Sequence, residues 1–430
     1  MALAGLYEFV FRNRAGLTVQ QHLQARAKFV SGVRRHDVSQ VAIADNRGPP
    51  AANPGQRPKT EAGGGASAPF FHPPRQRGVM IPISLESGQS DDWRALQRQA
   101  LRSPAALLAA LGLEHDPLAQ HLDSASPFPL RVPPPFLAAM TPGDPNDPVL
   151  RQVLSVTAER VAMPGFRTDP LEEADHSPTP GLLHKYAGRA LLITTGACAV
   201  HCRYCFRRHF PYPEAHSQGA KLDAALAYLE NTPSVEEIIL SGGDPLMLDD
   251  DKLAALLTRL EALPHLKRLR IHSRTPVVLP QRLTPALVER LGASRLQPVL
   301  VVHVNHAQEL RAGLPERMPA LRAAGMTVLN QAVLLAGVND SLEALTALSD
   351  ALFTAGILPY YLHLLDPVAG AAAFAVPRDR ALALYRALCE ARSGYLVPKL
   401  AEEIPGRGGK QSYAPTLGPS RIEPQGLGEE

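Results

Sequence analysis

Thr194-Thr195-Gly196-Ala197-Cys198-Ala199-Val200-His201-Cys202-Arg203-Tyr204-Cys205-Phe206-Arg207-Arg208 follows an apolar segment and holds three of the chain's four cysteines, spaced C-x3-C-x2-C. Cysteine thiolates are the usual ligands of iron–sulfur clusters, and three of them on a four-iron cluster leave one iron open to another ligand. The stretch reads as an iron–sulfur cradle. The competing reading is a single zinc ion with His201 or His209 as fourth ligand. Zinc sites usually come as two ligand pairs at a distance, and no second pair is present. A thioredoxin-like reading of Cys202-Arg203-Tyr204-Cys205 leaves Cys198 unexplained.

On either side of this run, short apolar strands alternate with amphipathic helices. The strands are expected at Ala190 to Thr195, Glu237 to Ser241, Arg268 to Ser273, Val299 to Asn305, Thr327 to Leu334 and Leu358 to Leu364. Helices are expected at Leu222 to Asn231, Asp250 to Leu263, Pro285 to Leu291, Gln308 to Ala324, Ser341 to Ala355 and Asp379 to Arg392. Strands each followed by a helix imply a parallel sheet with right-handed crossovers. The cysteines, Gly242-Gly243-Asp244, Ser273-Arg274, His303-Asn305 and Asn339-Asp340 all fall at or just past strand C-termini, which is where barrel enzymes place their sites. The expectation is an α/β fold, a full or partial barrel, preceded by an N-terminal helical region.

That N-terminal region, residues 80–183, has apolar residues at helical spacing from Asp91 to Leu113, broken at Ser103-Pro104. A helix near Pro148 to Leu154 and an irregular stretch from Met163 to Leu183 follow. Residues 184–400 would form the barrel, and 401–430 a lysine-bearing segment with a flexible tail. Residues 1–79 are rich in Pro, Gly and Ala, and are expected to be a disordered extension or a mis-annotated start, with Met80 as the first residue proper, rather than a transit peptide.

The chain has 430 residues, a hydrophobic fraction of 45% and a net charge of +3. Residues 1–79 carry 11 Lys+Arg against 4 Asp+Glu, leaving 33 against 37 for the rest. The body is thus mildly acidic, and bulk charge gives no argument for nucleic-acid binding. No apolar run reaches the length of a membrane span. Four cysteines without a disulfide framework fit a reducing, cytoplasmic setting.

Two further motifs carry chemistry. Ser241-Gly242-Gly243-Asp244-Pro245 ends a strand with glycines, which let backbone amides approach a ligand closely. Pro405-Gly406-Arg407-Gly408-Gly409-Lys410 fails as a P-loop at Ile404 and Gln411. A lysine on a glycine-rich segment suits a Schiff base with pyridoxal phosphate (PLP) instead.

The cysteine run is similar to the signature of the radical S-adenosylmethionine (SAM) superfamily, and the Gly-Gly-Asp-Pro turn to its second motif. Together with Lys410 the chain resembles the lysine 2,3-aminomutase family, and within it the short branch that makes β-lysine for elongation factor P. Phrases such as Asp169-Pro170-Leu171-Glu172-Glu173, Gly181-Leu182-Leu183-His184-Lys185-Tyr186, Leu269-Arg270-Ile271-His272-Ser273-Arg274 and Pro359-Tyr360-Tyr361-Leu362-His363 carry the resemblance over roughly residues 85 to 412.

The resemblance implies a radical SAM partial (β/α)6 TIM-like barrel using a [4Fe-4S] cluster, SAM and PLP. It implies that Cys198, Cys202 and Cys205 ligate the cluster, and that Ser241, Gly242, Gly243 and Asp244 meet SAM. Lys410 would form the Schiff base with PLP, and Lys185 and Arg189 would hold its phosphate; Lys185 stands where longer members have arginine. Arg207 would grip the carboxylate of L-lysine, while Asp340 and Glu403 would face its ε-ammonium, Glu403 replacing an aspartate of longer members. The implied partners are L-lysine, an electron donor, and a functional link to elongation factor P and its lysyl-transferring ligase, with neither nucleic acid nor membrane. The same chemistry on glutamate or arginine, and a zinc-stabilised binding protein, are the alternatives.

Overall fold

The computed structural model describes residues 92–212, 217–406 and 409–414. The expected extension over 1–79, Met80, and the tail from residue 415 lie outside the described residues. Nine strands form one sheet in strict chain order. They are β1 (Leu182–Tyr186), β2 (Arg189–Thr195), β3 (Glu237–Gly242), β4 (Arg268–Ser273), β5 (Gln297–Val302), β6 (Thr327–Val333), β7 (Leu358–His363), β8 (Lys399–Glu402) and β9 (Gln411–Tyr413).

Strands β2 to β8 run parallel, and β1 and β9 pair antiparallel on the two edges. The six strands expected from sequence are β2 to β7. Each leads into a crossover helix: α1 (Ala220–Glu230), α2 (Asp250–Glu261), α3 (Pro285–Gly292), α4 (Met318–Ala323), α5 (Leu342–Ala355) and α6 (Arg378–Ala391). This is the expected (β/α)6 unit. The sheet does not close by backbone bonding. β1 and the β8–β9 hairpin meet instead through side chains, where Lys185 Nζ in β1 lies 2.8 Å from Glu403 Oε1 just past β8.

Parallel strands covered by helices are buried on both faces, so they read as continuous apolar runs. Ile238, Ile239 and Leu240 of β3, and Leu300, Val301 and Val302 of β5, are all buried. The helices present Leu226 and Leu229 (α1), Leu253, Leu256, Leu257 and Leu260 (α2), and Leu345, Leu348 and Leu352 (α5) to the same core. Each such leucine contributes about 1.5–3 kcal/mol.

The N-terminal helices Trp93–Arg98 and Pro104–Ala110 break at Ser103, whose side chain caps the second, as the sequence implies. The expected helix over Gln308 to Ala324 is instead three pieces, two 3-10 turns (Ala307–Ala312 and Pro315–Arg317) and α4. Gly313 is left-handed at φ 108°, and the Pro315 ring cannot continue a helix from it. Strands β1, β8 and β9 were absent from the sequence expectation because they are short, lack a continuous apolar run and lie at or next to the edges of the sheet.

Ser341 caps α5 by accepting from Ala344 N at 3.1 Å. Ser341→Ala is expected to cost about 1 kcal/mol, read as a lower urea midpoint with unchanged slope.

Candidate active site

A cavity of about 310 Å³ opens at the C-terminal ends of the strands, and its lining includes Cys198, Cys202 and Cys205 together with Glu403 and Lys410. The cysteine loop leaves β2 where the register slips, so that Thr195 pairs with Gly242. Arg131 Nη1 donates to the Cys198 carbonyl at 2.9 Å, and Arg203, 1% exposed, is locked by Glu159. Turn bonds Cys205 N to Cys202 O and Arg208 N to Cys205 O shape the rest.

Burial pushes the Cys198 thiol well up and the Cys205 thiol to about 12, against the pull of Arg131 on the first and of Arg207 and Arg208 on the second. Cys202 Sγ accepts from Arg274 Nη1 at 2.7 Å. Each cysteine therefore has a guanidinium nearby. His201 Nδ1 is turned to the Pro129 carbonyl at 2.6 Å and His209 Nε2 to the Ala369 carbonyl at 3.0 Å. Neither completes a zinc set, and among the described residues no three His, Cys, Asp or Glu side chains gather as a metal-ion site. Three thiols on one loop, each beside a cation, fit a cluster whose corners take separate thiolates.

The loop after β3 stacks on this loop. Gly243 N donates to Thr195 O at 2.7 Å and Asp244 N to Ala197 O at 2.8 Å. A Cβ on Gly243 would come within 2.6 Å of the Ala197 carbonyl, so only glycine allows the approach. The Asp244 carboxylate is buried and accepts from Leu246 N, Ser273 Oγ, Arg274 N and Thr275 N. Its lone pairs are committed to joining the loops after β3 and β4. Ser241 and the Gly242-Gly243 backbone remain on the cavity wall.

Arg207, buried, reaches Ser241 Oγ with Nη1 at 3.0 Å and holds Glu173 bidentately, Nε at 2.8 Å and Nη2 at 2.5 Å. Burial alone would lower its pKa, but the Glu173 carboxylate holds it above the ordinary value. Sequence reasoning gave Glu173 no role, although it stands in the quoted run Asp169 to Glu173.

The β8–β9 hairpin sets Glu403 and Lys410 side by side. Glu403 Oε1 accepts from Lys185 Nζ at 2.8 Å and Tyr186 OH at 3.0 Å, and Lys410 Nζ lies 3.9 Å from Oε2. Lys410 Nζ is also 3.5 Å from His363 Nε2 and 4.9 Å over the Tyr361 ring. Burial lowers its pKa, which raises the share of free amine needed of a nucleophile. Arg189 stacks on the Tyr186 ring at 3.8 Å. Lys185, Arg189 and Lys410 thus bring three cations to one wall, a donor set suited to a phosphorylated carbonyl compound. Burial keeps His272 and His363 far below the ordinary imidazole pKa and His303 at about 3, so this part of the wall is neutral.

Asp340 is not brought to the cavity. Its oxygens are taken by Gly337 N at 2.8 Å and Arg380 Nη2 at 2.8 Å, which turns the carboxylate toward α6. The carboxylate that does line the wall beside Glu403 is Asp366, three residues past β7. Its sequence position, directly after an expected strand, carried the same signal as the other site residues, but Asp366-Pro367 reads as an ordinary turn.

Burial raises the Asp366 carboxyl from 3.8 to about 7, with Lys410 pulling it back. Between those values the unfolded chain releases a proton that the folded one keeps, so stability falls as pH rises. Asp366→Asn in the cofactor-free protein is expected to melt above wild type by a margin that widens from about pH 4 to about pH 7 and then levels off. A margin independent of pH would count against this.

The Radical SAM superfamily matches residues 192–348. L-lysine 2,3-aminomutase of Escherichia coli K12 is 50% identical over 334 residues, 77% of this chain and 96% of that protein. The Haemophilus influenzae Rd enzyme of the same name is 47% identical, over 78% of this chain and 99% of that protein. That of Clostridium subterminale is 36% identical, over 76% and 78%. Radical SAM enzymes work with a [4Fe-4S] cluster and SAM, and lysine 2,3-aminomutases add PLP. Similarity of this extent covers most of both chains rather than one motif, and the chain belongs to the lysine 2,3-aminomutase family, isomerases of the radical SAM superfamily.

Proposed function

We propose that this chain moves the α-amino group of L-lysine to the β-carbon, giving β-lysine. The observation that carries the reading is the one cavity lined by three thiols and Arg207 together with Lys410, Glu403 and Asp366. When bound, the cluster and SAM supply the 5′-deoxyadenosyl radical that takes a hydrogen from Cβ, and PLP supplies the π-system through which nitrogen migrates.

The chain's own residues position these groups and the substrate. Cys198, Cys202 and Cys205 hold the cluster. Ser241 and the Gly242-Gly243 backbone, which line the same cavity as the cysteines, would take the amino acid end of SAM, and Asp244 fixes that loop. Lys185 and Arg189 would hold the PLP phosphate, and Lys410, whose burial favours the free amine, would take its carbonyl. Arg207 receives the α-carboxylate; a guanidinium fork suits a carboxylate bidentately. Burying an ammonium requires negative charge, which Glu403 provides, and an ammonium beside Asp366 would draw its carboxyl into the ionised form. Glu403 repels a glutamate side chain. Asp340 takes no part while Arg380 holds it.

The resemblance to the short branch supports the finer reading that β-lysine is made in the cytoplasm for modification of elongation factor P, with an external electron donor reducing the cluster. No helix among the described residues is long and apolar enough to cross a membrane.

The direct test is an anaerobic assay of the reconstituted protein with labelled L-lysine, SAM, PLP and a strong reductant; turnover of glutamate but not lysine would end the assignment. Lys410→Ala should lose the PLP absorbance and keep the cluster, and Cys202→Ala should do the reverse; joint loss in either variant contradicts separate sites. Glu403→Gln and Asp366→Asn should each raise KM for lysine by about 10-fold or more, whereas Asp340→Asn should leave it within about 2-fold.

A further inference from the structure

The Arg207 guanidinium has five N–H donors. Glu173 takes two along one edge, and Ser241 Oγ takes one from Nη1. One hydrogen remains on each terminal nitrogen, the number that a carboxylate receives bidentately. Glu173 therefore does not exhaust Arg207. It fixes the plane of the fork and leaves two donors open.

Glu173 sits on a strap whose other end is tied elsewhere. Arg167 forms a parallel bridge with Val368, Arg167 N donating to Pro367 O at 2.9 Å and Ala369 N to Arg167 O at 2.8 Å. Val368 is two residues past Asp366. Within the strap, Arg167 Nη1 meets Glu172 Oε1 at 3.1 Å, and Glu172 is left-handed at φ 51°, the only non-glycine residue so placed among the described residues. Such a conformation is strained and persists where its surroundings over-determine it. Here both ends of the strap are fixed. The cysteine loop adds a third tie, His209 Nε2 donating to the Ala369 carbonyl at 3.0 Å.

We propose that Glu173 is a positioning residue and its strap a ruler. By tying Arg207 to the loop that carries Asp366, the strap fixes the separation between the groups that receive the substrate's carboxylate and its distal ammonium, and so sets the length of diamino acid accepted. The inference rests on the roles given above to Arg207 and Asp366. Its novelty is the fixed spacing, which neither residue supplies alone.

The test uses holoenzyme carrying cluster and PLP. Without SAM, titration with L-lysine and with L-ornithine, one methylene shorter, gives dissociation constants from the PLP absorbance; with SAM and reductant, kcat and KM follow. Wild type is expected to prefer lysine. Glu173→Gln, of the same shape, and Glu173→Asp, of the same charge, should both weaken lysine about 10-fold in Kd and KM, change kcat less, and narrow the lysine-to-ornithine ratio. An unchanged ratio with both amino acids weakened alike would reduce Glu173 to general support and overturn the ruler. Tighter lysine binding in Glu173→Gln would make it a competitor of substrate, and an effect in Gln but not in Asp would make it a matter of charge; either overturns the proposal. Wild type that binds neither diamino acid would instead defeat the substrate assignment, a result distinct from lysine binding with unaltered selectivity in the variants.

Discussion

The contact between Lys185 and Glu403 joins β1 to the β8–β9 hairpin across an otherwise open sheet, and the hairpin that carries Lys410 is tied down by it. Nine strands in chain order curl far enough that a side chain of β1 reaches one just past β8 at 2.8 Å. With side-chain exposures of 12% and 15%, the pair is largely dry. Such a pair is weak evidence for stability, because desolvation offsets most of the Coulomb gain. Its effect is geometric. Closure by side chains rather than by a backbone ladder leaves the C-terminal mouth with polar groups at the point where the hairpin delivers Lys410.

The same reasoning applies at the cysteine loop, where buried arginines set the charge around the cysteines. Arg274 is 6% exposed and reaches Cys202 Sγ, Tyr204 OH, Gln152 Oε1 and Glu309 Oε2. Asn305 Nδ2 closes the network on Gln152 and Tyr204. One guanidinium thus ties the N-terminal region, the cysteine loop and the loops after β4 and β5. Removing any one partner would strand a buried charge or polar group, which is far more costly than the net gain of forming the bond. Burial makes thiolates expensive at Cys198 and Cys205, and the surrounding cations offset that cost where a cluster would need them ionised.

What could be read from sequence follows from whether its signal is local. The cysteine spacing is local, and the six central strands announce themselves as apolar runs because helices cover both of their faces. The short strands β1, β8 and β9 have no such run; Lys399–Glu402 becomes a strand because Tyr361, Leu362 and His363 lie on one side of it and Gln411, Ser412 and Tyr413 on the other. The broken helix at Gly313 hid behind correct apolar spacing. Asp340 and Asp366 stand in similar sequence settings, each a few residues beyond a strand. Arg380, a residue 40 positions from Asp340, takes the first out of the site, and nothing near either aspartate foretells that.

Neutrality of the imidazoles on the cavity wall completes the arrangement. Three imidazoles whose burial keeps them uncharged, His272, His303 and His363, lie among the groups that line the cavity. A charged imidazole there would compete with substrate for Glu403 and Asp366 and would raise the cost of every other cation nearby. With those rings neutral, Arg207 is left for a carboxylate and Lys185 and Arg189 for a phosphate, while Arg270 and Arg274 are already paired with Glu237 and Glu309. Low dielectric then sharpens each pairing, and a ligand with its charges in another order would leave one group unpaired. Discrimination in this cavity comes from the order of charges along it as much as from its shape.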